Sequence, residues 1–312
     1  MRIVSDPKDC NIEPCVATIG FFDGVHQGHR FLIEQIKEVA KRKGLPSALI
    51  TFPVHPRKVL DPSHRIELLS TFEEKVHLLS QTGVDYCFLL NFNAEISSLT
   101  ASEFMTGVLK KQFKVDSLVI GYDHRFGHKR SEGFEDYCLC GQEIGMEVIQ
   151  AEPFMQEGLK ISSSAIRKAL SGADLDLANQ FLGYNYYLEG EVVTGQQLGR
   201  TIGFPTANLN PDPDKIIPAD GVYAVQVTVE EKNFAGMMNI GHRPTIDDGL
   251  NRTLEVNILD FNEDIYGKEI KVSFVKRIRP EVKFNGLDAL KAQIQDDQRK
   301  VEEIFRNKPF VS

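Results

Sequence analysis

GFFDGVHQGH, from Gly20 to His29, is the stretch that decides the fold of the first half of the chain. It overlaps the end of a strand-like run, VATIGFF at Val16–Phe22, and leads into an amphipathic helical pattern that stops at Gly44. A helix that begins directly after a buried strand presents free backbone N–H groups at the carboxyl end of that strand. The stretch therefore predicts a strand, loop and helix arranged around a bound anion.

The residues of this loop favour phosphate as the anion. Gly24 and Gly28 allow a phosphate to approach the backbone closely. His26 and His29 place two imidazole donors at the same spot, where they can steady charge on an α-phosphate under attack. The alternative is a surface turn with two solvated histidines. The strand, the glycines, the H-x-G-H pattern and the helix together favour phosphate binding.

The chain changes its pattern near Gly183. Before it, strand-like and helix-like runs alternate, which predicts an α/β fold with a doubly wound parallel sheet and ligands at the carboxyl ends of its strands. After it, strand-like runs joined by Gly, Pro, Asn and Asp turns predict an antiparallel β-barrel. We expect two domains, 1–183 and 184–312. A C-terminal helix follows the barrel, with predicted packing positions at Leu287, Leu290, Ile294, Val301 and Ile304.

Two further segments of the first domain are candidates for the same ligand. GYDHRFGHKR at Gly121–Arg130 follows the fourth predicted strand and places Arg125 close to Asp123; the alternative is a solvated basic turn. ISSSAIR at Ile161–Arg167 combines a serine N-cap with an arginine on the face of the following serines, which suits a polyphosphate. For that segment the alternative is an ordinary capped helix with a surface arginine.

The barrel has a cluster of its own, GQQLGRTIGFPTAN at Gly195–Asn208. Its glycines recur every four residues and allow backbone N–H groups to face phosphates. Thr206 and Asn208 offer oxygen ligands of the kind that Mg²⁺ takes in small number. Glu255 lies on a later alternating run; it is either solvent-facing or, beside a nucleotide pocket, able to take the proton of an attacking hydroxyl.

Composition narrows the class of protein. The chain has 312 residues, of which 42% are hydrophobic and 26% charged, with a net charge of −8. This charge disfavours nucleic-acid binding, which depends on many Lys and Arg contacts to phosphate. No apolar run reaches the roughly 20 residues of a membrane span, and no secretory pattern is seen. We expect a cytoplasmic protein without a membrane or nucleic-acid partner, as a monomer or a homo-oligomer. The five scattered cysteines argue against a disulfide framework.

The motifs resemble a known family in both halves. GFFDGVHQGH, TFPVHP, GYDHRFG and ISSSAIR look like the FAD synthetase (FMN adenylyltransferase) module of bacterial bifunctional riboflavin kinase/FAD synthetases, which belongs with the H-x-G-H nucleotidyltransferases. GRTIGFPTANL, GVYAV, MNIGHRPTI, LEVNILDFNEDIYG and RIRPEVKF look like riboflavin kinase. The chain departs from the family pattern at His124, where an aromatic Phe is usual, at Ser164, and at Arg277–Ile278.

The resemblance implies two ATP-dependent reactions: phosphorylation of riboflavin to FMN, then adenylyl transfer to FMN, giving FAD and pyrophosphate. Riboflavin, FMN, FAD and ATP are the implied small-molecule ligands, with Mg²⁺ as cofactor. Glu255 would be the general base of the kinase step, and Thr206 with Asn208 would hold the metal. Competing interpretations are another H-x-G-H adenylyltransferase, for example one acting on pantetheine phosphate, and a noncatalytic flavin or nucleotide sensor.

The predicted site residues form four sets. The catalytic set is His26, His29, Arg167 and Glu255, and the metal set is Thr206 and Asn208. The ATP and phosphate set is Gly20, Phe21, Asp23, Gly24, Gly28, Ser162, Ser163, Ser164, Gly195, Gly199, Arg200 and Gly203. The flavin set is Asp123, Arg125, Phe126, Gly221, Tyr223 and Arg279.

Overall fold

The computed structural model of the chain describes residues 1–5, 12–61, 63, 66–121, 124–128, 132–156, 158–195, 199, 203–242 and 252–307. These residues form two compact units, Met1–Ser163 and Ser164–Ser312. The boundary that we predict from the sequence, at Gly183, stays a prediction. Among the described residues, no helix is long and apolar enough to cross a membrane.

The first unit is built on a parallel sheet with strand order β1-β4-β3-β2-β5-β6. The winding direction reverses between β2 and β5, so the loops that follow these two strands are neighbours. The strands are β1 Arg2–Val4, β2 Cys15–Ile19, β3 Ser47–Thr51, β4 Tyr86–Leu89, β5 Val115–Ile120 and β6 Glu147–Gln150. The helices are α1 Gln27–Lys43, α2 Pro56–Leu60, α3 Phe72–Ser80, α4 Ala94–Ser98, α5 Ala101–Glu103 and α6 Phe134–Ile144. A two-stranded hairpin, β7 Met155–Gln156 and β8 Leu159–Lys160, completes the unit.

Local rules explain the elements that position the first loop. All residues of β2 and β3 are buried, as expected for central strands of a parallel sheet. The helix α1 ends at Gly44, which adopts a left-handed conformation with φ 66° and donates its N–H to the last turn. The doubly wound parallel sheet and this helix stop are both as predicted.

The helical segment between β4 and β5 that starts at Ala101 is not α-helical throughout. Only its first turn, α5, is α-helical, and Phe104–Gln112 forms a π-helix. The wider turn buries Phe104, Met105, Val108 and Leu109 together. Residue patterning separates a helix from a strand, but the change from α to π depends on how this buried face fits its neighbours.

The second unit is a closed antiparallel barrel of strand order β10-β13-β12-β11-β14-β9 with a C-terminal helix, as predicted. Two helices precede the barrel, α7 Ser163–Ser171 and α8 Leu175–Leu182. The strands are β9 Tyr187–Val193, β10 Ala207–Pro211, β11 Gly221–Val229, β12 Lys232–His242, β13 Arg252–Ile258 and β14 Glu269–Arg279, and the C-terminal helix is α9 Leu287–Asn307.

The two ends of this unit are tied to the barrel in different ways. Asn179 of α8 donates to the Phe274 carbonyl at 2.9 Å and accepts from the Tyr186 N–H at 2.8 Å. Val301 of α9 is fully buried in the cluster that α9 forms with β11 and β12. The packing position predicted at Leu287 is wrong: its side chain is 67% exposed, because α9 begins there, before it reaches the sheet.

Candidate functional site

The loop after β2 is held by a buried carboxylate. Asp23 lies in a 3₁₀ turn, Asp23–Val25, and its Oδ1 accepts the N–H of Leu69 at 3.0 Å and that of Ser70 at 3.1 Å. The N–H of Gly24 donates to the Ser70 hydroxyl at 2.9 Å. These contacts make Asp23 a support of the loop, and its predicted contact with ATP stays a prediction.

The two histidines of the loop lie against each other at the start of α1. Their rings stack with centroids 3.6 Å apart and planes 15° apart. His26 is the N-cap: its Nδ1 accepts the backbone N–H of His29 at 3.3 Å. A nitrogen that accepts carries no proton, so the ring N–H of neutral His26 is on Nε2.

The surroundings of His29 disfavour a charged ring. Burial, together with the positive potential of His26 and of Lys75, holds the pKa of His29 well below 6.5. Its buried Nδ1 has no hydrogen-bond partner among the described residues. At neutral pH His29 is therefore a neutral imidazole, which offers one N–H donor and one acceptor.

The glycines predicted for this loop also have structural reasons, since a side chain at two of them would crowd a neighbouring ring. A Cβ at Gly28 would lie 3.3 Å from the ring of His26, and one at Gly20 would lie 3.1 Å from the ring of Phe22. Gly24 has φ 75°, which favours glycine. Ring packing and backbone conformation thus fix the course of the loop, independently of any bound phosphate.

The serine segment begins at the same loop. The hydroxyl of Ser163, the first residue of α7, donates to the Asp23 carbonyl at 3.1 Å. Ser162 precedes the helix, and Ser164 and Arg167 follow within its first turns. The structure therefore brings the start of ISSSAIR to the H-x-G-H loop.

The loop after β5 is anchored by a tyrosine that the sequence pattern did not single out. The Tyr137 hydroxyl accepts the N–H of Phe126 at 3.1 Å and donates to the carbonyls of Phe126 and Glu132, each at 3.1 Å. The rings of Phe126 and Tyr137 stack at 4.2 Å. Arg125 is exposed beside them. Asp123 lies outside the described residues. The predicted flavin contacts of this loop stay predictions.

A second overlooked residue, Lys75 of α3, lies behind the first loop. Its ammonium donates to the Phe52 carbonyl at 2.8 Å and lies 4.0 Å from the centroid of the Phe21 ring. The signal was present in the sequence: Lys75 shares a helical face with Leu78 and Leu79, which are both buried.

The barrel brings its predicted catalytic and metal residues together. Asn208 on β10 is the direct cross-strand partner of Glu255 on β13, so the two side chains lie on the same face. A Cβ at Gly195 would lie 2.6 Å from Cγ of Asn208 and closer still to its Nδ2. A Cβ at Gly199 would clash with the Phe204 carbonyl oxygen and would lie 3.4 Å from Oγ1 of Thr206, an ordinary contact distance. Of the three predicted glycines, Gly195 therefore sits directly against a predicted metal ligand.

Neighbouring contacts fix this segment. Asn257 donates its side-chain N–H to the Pro205 carbonyl at 2.7 Å, which holds the P-T-A-N turn against β13. Gly203 has φ 90°, a conformation that favours glycine. A cavity of about 350 Å³ opens beside Thr206 and is also lined by Val192, Val256, Phe261, Asp264 and Tyr266. Arg200 lies outside the described residues.

The predicted flavin residues of the barrel have structural contacts. Tyr223 is 1% exposed and donates its hydroxyl to the Ala219 carbonyl. Arg279 pairs through Nε with the buried carboxylate of Asp297 at 2.8 Å and so ties β14 to α9. A Cβ at Gly221 would lie 2.6 Å from the Arg279 carbonyl. These contacts explain the three residues as parts of the fold, and their contact with flavin stays a prediction.

Comparison with known proteins matches both units. The family model described as FAD synthetase matches residues 8–165, and the one described as riboflavin kinase matches residues 182–305. The bifunctional riboflavin kinase/FMN adenylyltransferase of Escherichia coli strain K12 is 40% identical over 294 residues, 94% of this chain and 93% of that protein. The protein of the same name from Bacillus subtilis strain 168 is 37% identical over 295 residues, again 94% and 93%. A crystal structure described as a macrolide-efflux protein from Streptococcus pneumoniae is similar with a TM-score of 0.87 and 34% identity, covering 96% of this chain and 98% of that one.

Proposed function

Since this chain belongs to the bifunctional riboflavin kinase/FMN adenylyltransferases, it phosphorylates riboflavin to FMN and adenylylates FMN to FAD, and we propose here which of its residues perform each step. The adenylyl transfer belongs to the FAD synthetase domain and the phosphorylation to the riboflavin kinase domain. The observation that supports the residue assignment best is the pairing of Asn208 with Glu255 across β10 and β13, because it joins a predicted metal ligand to a predicted base.

In adenylyl transfer, the FMN phosphate attacks the α-phosphate of ATP and pyrophosphate leaves. The attacking phosphate is already ionised, so no protein nucleophile is needed. His26 donates from Nε2, and neutral His29 donates from one ring nitrogen, to oxygens that gain charge in the transition state. The serine segment at the start of α7 and Arg167 bind the rest of the triphosphate. Catalysis at this site is positioning plus stabilisation of charge.

In the kinase step, the 5′-hydroxyl of riboflavin attacks the γ-phosphate of ATP. Glu255 takes the proton of that hydroxyl, and the glycine-rich segment before β10 holds the phosphates. Glu255 is half-exposed and is the cross-strand partner of Asn208 on β10 and of Asn239 on β12, so the three side chains share one face of the sheet. In a reaction of this kind, alignment of the phosphate donor with the acceptor hydroxyl contributes much of the rate acceleration.

Thr206 and Asn208 fit Mg²⁺ as the metal of this step. Both present neutral hard oxygens, and two such ligands suffice for an ion that keeps its waters and the phosphates of the nucleotide. Asn208 packs so closely on Gly195 that a side chain there would displace it. When bound, the ion offsets charge on the phosphates. Both reactions consume ATP, which favours a cytoplasmic enzyme that acts on small molecules alone.

Two variants test the assignment, one in each domain. His29→Ala should lower FAD formation from FMN by about 10²–10³ and spare FMN formation, because one preorganised donor is lost. Glu255→Gln should lower FMN formation by about 10²–10⁴ and spare FAD formation, because the base is lost while size and polarity are kept. Each step is assayed separately, with a thermal melt of each protein.

Matched controls are the exposed His77 and Glu269, changed to Ala and Gln. Both controls should keep both activities. FAD formation by His29→Ala at the wild-type rate would reject the role of His29, and a fully active Glu255→Gln protein would reject the general base. If both variants kept both activities, other residues of the two sites would have to carry the chemistry, whereas a wild type that formed neither product would favour a binding protein.

A further inference from the structure

Lys75 is a charged side chain in a place where burial opposes charge. It is 1% exposed, the least exposed lysine of the first unit among the described residues. It lies on α3, yet its ammonium contacts the chain after β3, through the Phe52 carbonyl, and the loop after β2, through the Phe21 ring. One side chain therefore joins three elements directly behind the H-x-G-H loop.

The contacts of Lys75 continue into the predicted phosphate site. The ring of Phe21 stands edge-on to the ring of His55 at 4.4 Å, and Thr51 donates its hydroxyl to the Phe21 carbonyl at 3.3 Å. Phe21 follows Gly20 directly and lies two residues before Asp23. A displacement of the ammonium would therefore be transmitted to the first residues of the loop.

The titratable groups that interact with Lys75 come from three other elements. Asp23 of the loop after β2 attracts its charge, Cys87 of β4 lies close enough to interact with it, and His29 of α1 is influenced by it. Burial is the dominant effect and lowers the pKa of Lys75 to about 8. At neutral pH most of the molecules still carry the charge.

This charge has a cost to the fold. A lysine whose pKa is lower in the folded than in the unfolded chain binds its proton less tightly when folded, so the charge lowers the free energy of unfolding at pH 7. The cost is lost as the pH rises from about 8 to above the ordinary lysine value. Methionine would fill the same space without it. Because the buried charge of Lys75 does not favour the folded state, it suggests a function other than stability.

We propose that Lys75 is a positioning residue for adenylyl transfer: its ammonium fixes the Phe21 ring and the Phe52 carbonyl behind the phosphate loop and places a positive charge beside His29 at neutral pH. The inference rests on the proposed role of that loop. The charge favours the neutral form of His29 and attracts the phosphates that the loop faces. Lys75 itself is enclosed, and it acts through these neighbours.

The central variant is Lys75→Met, which keeps length and removes charge. We expect kcat for FAD formation to fall by about 10- to 100-fold, the effect of misplacing reacting groups by roughly 1 Å. FMN formation by the same protein is the internal control and should stay at the wild-type rate. The exposed Lys111→Met is the matched control and should change neither step. The thermal melt of Lys75→Met should stay within a few degrees of the wild type.

Two readouts separate positioning from a merely structural role. In the wild type, FAD formation should lose activity above about pH 8 as Lys75 loses its proton, while Lys75→Met should lack this decline. Cys87 cannot produce it, because burial raises its pKa to about 11, and His29 titrates well below 6.5. An NMR titration should also place the pKa of His29 higher in Lys75→Met than in the wild type.

The proposal is overturned by a Lys75→Met protein with wild-type kcat and pH profile. It is also overturned if FAD formation falls only in proportion to the unfolded fraction. If the variant does not fold, the pH dependence of the wild type still tests the proposal. A rate of FAD formation that is constant between pH 7 and pH 9.5 would reject the role of Lys75. His29→Ala tells the two hypotheses apart: an inactive His29→Ala beside an active Lys75→Met rejects Lys75 alone, and two active variants reject the loop assignment as well.

Discussion

The substitution Gly195→Ala tests the barrel site through a single methyl group. Gly195 has no left-handed backbone conformation, so alanine is allowed there and its effect is steric. The new Cβ would lie 2.6 Å from Cγ of Asn208, with Nδ2 closer still. To regain an ordinary contact of about 3.5 Å, the amide of Asn208 must move by about 1–1.5 Å.

This displacement should affect catalysis far more than stability. The atoms that must move are the end of a side chain, so overpacking should cost near the low end of about 1–3 kcal/mol. The smaller conformational entropy of unfolded alanine offsets about 0.4–1 kcal/mol of that cost. A misplacement of about 1 Å at a proposed metal ligand beside the proposed base should lower kcat/KM for FMN formation by about 10²-fold.

The assay measures FMN formation from riboflavin and ATP, and separately FAD formation from supplied FMN, which should not change. Gly107→Ala is the matched control, because it adds the same group where no atom lies within 4 Å, and both rates should be kept. A folded Gly195→Ala protein that forms FMN at the wild-type rate would refute the view that Gly195 leaves room for a functional Asn208.

Further predictions concern the metal and the domain boundary. Thr206→Ala should raise the Mg²⁺ concentration needed for FMN formation and leave FAD formation nearly unchanged, because one oxygen ligand is lost; an unaltered Mg²⁺ titration would count against Thr206. A fragment of residues 184–312 should fold and make FMN but no FAD, which chromatography of the flavins would reveal. A fragment of residues 164–312 should melt at a higher temperature, since it keeps Asn179 and its bonds to Phe274 and Tyr186; equal melting temperatures would show that α8 adds nothing to the barrel.

Local patterns were sufficient wherever a residue's role depends on its neighbours along the chain. Alternating strands and helices predict the parallel sheet, and the change of pattern near Gly183 predicts the barrel. The H-x-G-H loop, the serine segment and the P-T-A-N segment could all be located in the sequence, because each is a short run that starts a helix or precedes a strand. The pairing of Asn208 with Glu255 could not be predicted from the sequence, since register depends on how two strands 47 positions apart align.

The sequence by itself therefore determined the two folds and the segments that carry the predicted sites, because residue order and hydrophobic period are local quantities. The two reactions followed from the resemblance of these segments to a known family. Only the tertiary structure decided what individual polar side chains touch. Asp23 holds its loop by accepting the N–H groups of residues 69 and 70, Arg279 pairs with Asp297, and Lys75 lies behind the phosphate loop. The physical reason is that burial and pairing depend on atoms brought together from distant parts of the chain, and these set whether a charge meets a ligand or holds the fold.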